Sequence, residues 1–267
     1  MWIDSHCHLD AEEFEPDRES VVDRARAAGV QMMLIPAVEA SRFEVVRALA
    51  RRYGFGYCLG IHPLYVQRAQ DADLERLVEA LRVAQGDPNF VGIGEIGLDF
   101  FGEPPDAERQ EHFYQAQLRL ARTWSLPVVV HVRRSADRLL KYLRRIEVPG
   151  GIAHAFNGSE HQAREFIACG FRLGFGGSAT FNGSLRIRRH ASEVPESAIV
   201  LETDAPDIAP QWLHDRGPRP RNEPAQLPRI AAAIAQLRSI PADELAGINR
   251  RNILDAFPRL AALMAGR

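Results

Sequence analysis

Residues 2–10 read WIDSHCHLD, a short apolar start that ends in two histidines, His6 and His8, on either side of Cys7. In an extended strand the side chains at i and i+2 point to the same side, so His6 and His8 can grip one ion while Cys7 points away. Asp4 shares their parity one layer deeper. It either orients a ligating imidazole or serves as a structural carboxylate at the base of the fold. What the pair does depends on whether the rest of the chain brings further donors to it.

Comparable runs recur. Short apolar or β-branched segments at Trp2 to Ser5, Met32 to Pro36, Phe55 to Ile61, Val91 to Glu95, Val128 to His131, Gly151 to His154, Phe171 to Phe175 and Ile199 to Thr203 read as strands. Longer amphipathic stretches lie between them. ESVVDRARAAG ends on Gly29 as a helix C-cap, and AERQEHFYQAQLRLARTW repeats Phe113, Gln117, Leu120 and Trp124 at helical spacing. Eight β-α units in 267 residues predict an α/β fold, a single (β/α)8 TIM barrel of the metal-dependent hydrolase type spanning 1–267. An open doubly wound sheet is the alternative, with fewer strands and its crevice at a switch point.

The net charge of −2 gives no overall electrostatic hold on nucleic acid, so any grip on phosphate must be local. Cys7, Cys58 and Cys169 are odd in number, far apart and without a CxxC pair, which argues against a disulfide framework or a thiolate zinc site. With no basic-then-apolar leader pattern and no apolar run near ~18 residues, a soluble cytoplasmic protein without a membrane partner is expected.

The polar residues fall in a pattern. DSHCH follows the first strand, GIHP the third, GEIGLD the fourth, VVVHVR the fifth, IAHAF the sixth and LETDAP the eighth. In a parallel barrel the carboxyl ends of all strands meet at one face, where active sites are built. His6, His8, Glu95, His131, His154 and Asp204 would therefore converge on one site. Imidazoles mixed with carboxylates suit zinc, manganese or iron better than calcium. Six donors exceed the three that one catalytic zinc usually takes, so two divalent ions are expected, with Glu95 placed to bridge them. A carbamylated lysine cannot be the bridge, because the only lysine, Lys141, lies in a helical stretch.

Around this site His62 would touch substrate phosphate, bind metal or hold its loop. Arg133 shares the parity of His131 and would hold phosphate or pair with a barrel carboxylate. Glu202 shares the parity of Asp204 and would support the site or stand as a buried structural carboxylate. His112, His161, His190 and His214 read as surface residues. The glycines of GFGGSATF would cradle phosphate with backbone N–H groups or merely fit a tight loop. The Pro- and Arg-rich stretch at 205–228 reads as a loop over the barrel mouth, with Trp212 as an aromatic able to stack on a base.

Together, IDSHCHLD, GIHP, GEIGLDF, ERQEHFYQAQLRLA, LPVVVHVR, HAFNGS, FGGSATF, LETDAP and RNEP resemble the TatD family of metal-dependent deoxyribonucleases along essentially the whole chain. The resemblance implies a (β/α)8 barrel, metal bound by His6, His8, Glu95, His131, His154 and Asp204, and phosphodiester hydrolysis at DNA ends. Two ions per chain, of zinc, manganese or magnesium, are then the expected cofactors, and single-stranded DNA ends the expected substrate. Asp204 would accept a proton, and with Glu95 would carry the catalysis. Ala155, Asn157, Val132 and Arg134 depart from the residues usual in the family, and they surround the substrate rather than the metal. Hydrolysis of a carboxylic ester or amide, including aminoacyl-tRNA, is the alternative activity; a metal-binding scaffold without turnover is the alternative of another class.

Overall fold

Eight parallel strands alternate with helices in the computed structural model, which describes residues 1–102, 106–214 and 220–266. The strands are β1 (Trp2–Asp4), β2 (Val30–Pro36), β3 (Gly56–Leu59), β4 (Phe90–Asp99), β5 (Val128–Arg133), β6 (Gly151–His154), β7 (Phe171–Phe175) and β8 (Ile199–Leu201). They pair in chain order from β1 to β8, the arrangement of a (β/α)8 barrel rather than of a doubly wound sheet. The helices between and after them are α1 (Arg18–Ala27), α2 (Phe43–Tyr53), α3 (Asp71–Ala84), α4 (Ala107–Thr123), α5 (Ala136–Leu143), α6 (Glu160–Ala168), α7 (Leu185–Glu193), α8 (Gln211–His214), α9 (Leu227–Arg238), α10 (Ala242–Ala256) and α11 (Pro258–Ala265). Strands covered by helices outside and side chains inside are buried on both faces, so they read as apolar runs rather than as alternating patterns. All ten residues of β4 are buried.

The barrel closes between β8 and β1 just beyond the ends of both strands. Ser5 N–H donates to Leu201 O at 3.1 Å, Asp204 N–H to His6 O at 2.9 Å and His8 N–H to Ala205 O at 2.8 Å, and Cys7 bridges Ala205 in parallel. The buried Asp4 carboxylate fastens this seam by accepting from Thr203 N–H at 3.0 Å, Thr203 Oγ1–H at 2.5 Å and His6 N–H at 3.2 Å. Behind it, Asn249 of α10 donates to Ile3 O and accepts from Leu201 N–H, both at 2.8 Å. Asp4 thus holds backbone at the seam and has no hydrogen bond to an imidazole among the described residues.

Two elements differ from the expectation in ways that matter. Strand β4 runs on past Glu95 to Asp99, and β5 past His131 to Arg133, so both reach further into the mouth. Helix α4 secures the end of β4 and the segment after β3. Gln110 closes a pair of hydrogen bonds on the backbone of Asp99, and Gln117 does the same on Ile61, next to His62.

The stretch after β8 is tied down at its far end. Asn222 Nδ2 donates to Thr203 O at 2.8 Å and Asp207 O at 3.0 Å, while Arg221 and Glu223 pair with Asp17 and Arg24 at α1. Part of the expected loop, with Arg216 and Arg219, lies outside the described residues. Trp212 is engaged rather than free: its Nε1–H donates to Gln226 and Arg229 stacks on its ring at 4.2 Å. His190 is not a surface residue; it is buried in α7 against Phe156 and bonds Gly158 O at 2.9 Å. Lys141 lies in α5, stacked on Tyr142, away from the strand ends.

Removing the seam's acceptor tests its weight. Asp4→Ala leaves three buried donors unpaired, at roughly 1–3 kcal/mol each, so unfolding in urea should show a loss of about 3 kcal/mol or more. Asp4→Asn, which keeps one acceptor oxygen, should lose less. An unchanged midpoint for Asp4→Ala would contradict the fastening role.

Candidate metal centre

The seam sets His6, His8 and Asp204 side by side, and β4, β5 and β6 bring Glu95, His131 and His154 to the same rim. The Glu95 carboxylate divides between two donor sets. Its Oε2 stands 3.2 Å from His6 Nε2 and 3.4 Å from His8 Nε2, and those two nitrogens lie 3.3 and 3.5 Å from Asp204 Oδ1. Its Oε1 stands 2.9 Å from His131 Nδ1, 2.8 Å from His154 Nε2 and 3.1 Å from His62 Nε2.

Nitrogens also face nitrogens, His6 Nε2 and His8 Nε2 at 3.1 Å and His131 Nδ1 and His154 Nε2 at 3.1 Å. A chain that gathers lone pairs like this in a buried place needs a cation between them. Donors each ~2.1 Å from one ion at tetrahedral or octahedral angles lie roughly 3.0–3.4 Å apart, which matches these separations. By these distances His6, His8, Asp204 and Glu95 Oε2 could hold one metal ion, and His131, His154 and Glu95 Oε1 another, with His62 also within reach of Glu95 and His131.

The tautomers follow from the outer partners. His131 Nε2 lies 3.0 Å from Asp99 Oδ2, so it carries the proton there and leaves Nδ1 free toward Glu95 and His154. Asp99 therefore orients a donor imidazole. His62 Nδ1 accepts from Leu64 N–H at 3.2 Å, so in the neutral ring Nε2 bears the proton and donates to Glu95. His62 thus holds its loop and steadies Glu95, and its remaining nitrogen has no lone pair to offer an ion. The His6 and His154 rings stack in parallel with centroids 4.0 Å apart.

Glu202 Oε1 accepts from Ala155 N–H at 2.5 Å and lies 3.9 Å from His154 Nδ1. A Cβ on Gly174 would come within 2.1 Å of Glu202 Oε2, and one on Gly177 within 1.9 Å of Ile208 O. The glycines of GFGGSATF are therefore needed for close packing of Glu202 and the segment after β8.

Burial works against every charge here, and the carboxylates decide which groups keep one. Against burial, the surrounding histidines hold the Glu95 carboxyl well below the usual carboxylate range. Against burial again, Glu95 and Asp204 hold His8 up at about 9 and His154 at about 10. Burial wins at His62, lowered to about 4, and at His6, lowered well below the ordinary value with His154 adding to the effect. It also raises Glu202 to about 8 and Asp204 above its ordinary value.

Above these groups opens a cleft of about 1420 Å³, lined among others by Arg42, Leu64, Arg68, Phe101, Arg133 and Arg186. That exceeds the ~300–1,000 Å³ of an ordinary small-molecule pocket. Arg133 sits at its rim, half-exposed, with Nη1 3.9 Å from Asp99 Oδ2. Both its readings therefore stay compatible with its position. Asp99 itself was not singled out by motif reading, although it continues the i, i+2 series Glu95, Gly97, Asp99 on the longer β4.

The family described as TatD related DNase matches residues 3–258. The uncharacterized metal-dependent hydrolase YjjV of Escherichia coli K12 is 40% identical over 258 residues, covering 96% of this chain and 97% of that protein. The 3′-5′ ssDNA/RNA exonuclease TatD of Cronobacter sakazakii is 37% identical over 240 residues, covering 88% of this chain and 90% of its own length. The crystal structure of the Escherichia coli TatD homologue YjjV superposes with a TM-score of 0.90 at 37% identity, over 96% of this chain and 98% of that one. A strand order, a rim of convergent donors and a match along nearly the full length all coincide: this chain belongs to the TatD family of metal-dependent hydrolases.

Proposed function

We propose that this hydrolase is a nuclease that removes nucleotides from single-stranded DNA ends, 3′ to 5′, with two divalent ions of zinc, manganese or magnesium that His6, His8, Asp204, His131 and His154 would hold, with Glu95 shared between them. The observation that carries the reading is the division of one carboxylate between two donor sets, Oε2 toward His6 and His8 and Oε1 toward His131 and His154. Bound there, such ions supply a nucleophilic hydroxide at neutral pH and offset charge on the phosphate oxygens. Relatives named as 3′-5′ ssDNA/RNA exonucleases support a nucleic-acid substrate, as does a cleft larger than a small ester needs.

The chain's own groups divide the work. Glu95, ionised and steadied by the His62 Nε2–H, fixes the spacing of the two donor sets. Asp204, whose pKa burial raises at the lip of the cleft, accepts the proton that the attacking water gives up. Asp99 keeps His131 in the tautomer that presents Nδ1. Arg133 faces the phosphate from the rim.

The direct test is protein stripped of metal, reloaded with single divalent ions and assayed on single-stranded DNA, RNA, a simple phosphodiester and a carboxylic ester. Oligonucleotides should be shortened from the 3′ end. Glu95→Gln and His131→Ala should each lower kcat/KM by more than ~100-fold, beyond what loss of a merely supporting partner costs. Faster turnover of the carboxylic ester than of any phosphodiester would refute the nuclease reading.

Proton competition gives a second check. Because His8 and His154 are held protonated up to about 9 and about 10, an ion must displace those protons, and acid opposes it. Affinity should therefore rise from pH 6 to pH 9 by up to about tenfold per unit for each displaced proton. Calorimetry in buffers of different ionisation heat should find roughly one proton released per raised histidine. Binding independent of pH would count against His8 and His154 as metal donors.

A further inference from the structure

Phe101 stands 49% exposed in the cleft, where an aromatic ring gains nothing from the core. It is not alone: Leu64 also lines the cleft, and the exposed Leu185 adjoins Arg186, which does too. Isolated apolar side chains on a surface need no explanation, but these lie around the mouth of the active site.

Phe101 also carries cations. The Arg133 guanidinium lies 3.9 Å from its ring centroid and that of Arg134 at 4.7 Å. Successive residues of a strand point to opposite sides, yet both reach one ring, because Arg134 leaves β5 in the left-handed region at φ 54°. Among the described residues Arg133 has no partner nearer than its 3.9 Å contact with Asp99, and Arg134 has no hydrogen bond or ion pair. Their guanidinium donors therefore face solvent in the cleft. The same Asp99 Oδ2 holds His131 at 3.0 Å, so this arginine–aromatic stack stands one carboxylate away from the metal centre.

We infer that Phe101, Arg133 and Arg134 form a subsite for the nucleotide next to the scissile phosphate. The stack takes the unpaired base and the guanidinium groups take the phosphate. This rests on the nuclease reading and deepens it. Stacking needs a free base face, so the subsite selects single strands at least two nucleotides long, tolerant of base identity because every base has such a face. The phosphate contacts add a salt-dependent term.

Fluorescence anisotropy tests it, with metal-loaded protein and a 5′-labelled single-stranded phosphorothioate pentanucleotide whose last three bases are removed one at a time. In the unaltered protein one abasic position should weaken binding roughly 5- to 100-fold. Phe101→Ala should weaken binding of the intact strand by the same factor and abolish sensitivity at that position. Arg133→Met and Arg134→Met should each flatten the salt dependence by a slope of about 0.7. If Phe101→Ala binds the intact strand as the unaltered protein does, or if no abasic position matters, the subsite is refuted and the nuclease reading stands. If the unaltered protein neither binds nor shortens any oligonucleotide, the nuclease reading falls and takes the subsite with it.

Discussion

The hydrogen bonds that join the ends of β8 and β1, Asp204 N–H to His6 O at 2.9 Å and His8 N–H to Ala205 O at 2.8 Å, close the barrel and align three metal-binding candidates in one step. Parallel strands cannot be closed by a hairpin, so the two most distant strands in sequence have to find each other. Asp4 and Thr203 on one side and Asn249 on the other hold that register. Fold and site thus depend on the same backbone contacts. A slip of one residue at the seam would turn His6 and His8 away from the mouth and put Cys7 in their place.

The second constraint is electrostatic. Five imidazoles lie around the Glu95 carboxylate within 3.4 Å of one of its oxygens or the other. In so buried a place the carboxylate keeps its charge beside His8 and His154, the imidazoles that it in turn holds protonated. Cations can replace those protons while keeping the same neighbours. The partners around the site set its tautomers: Asp99 leaves His131 Nδ1 turned inward, Leu64 N–H makes His62 a donor to Glu95, and α4 holds the backbone nearby through Gln110 and Gln117.

Most of this was legible in the sequence because strand identity in a barrel is written in apolar runs and the active face is set by topology. All eight strands fall where such runs predict them, and the six candidate donors lie within or just beyond the carboxyl halves of those strands. What was not legible depends on tertiary context. The run ending at Glu95 hides the further turns of β4, since Gly97 and Asp99 do not look like buried strand residues, and so Asp99 escaped notice. Gln110 and Gln117 sit on the buried face of α4, where polarity makes sense only once backbone groups come to meet them. His190 was misjudged for the same reason: a histidine in a polar helix reads as exposed until its partner, Gly158 O, is known, just as the contacts of Trp212 with Gln226 and Arg229 could not be read from a proline-rich stretch. The glycines after β7 answer to Glu202 and Ile208, far away in sequence.

The central claim is that one carboxylate serves two ions. A crystal grown with manganese and measured for anomalous scattering addresses it directly. Two peaks ~3.5–4 Å apart should flank the Glu95 carboxylate, one among His6, His8 and Asp204 and the other beside His131 Nδ1 and His154 Nε2. A single peak, or two that leave Glu95 outside their coordination, would contradict the account.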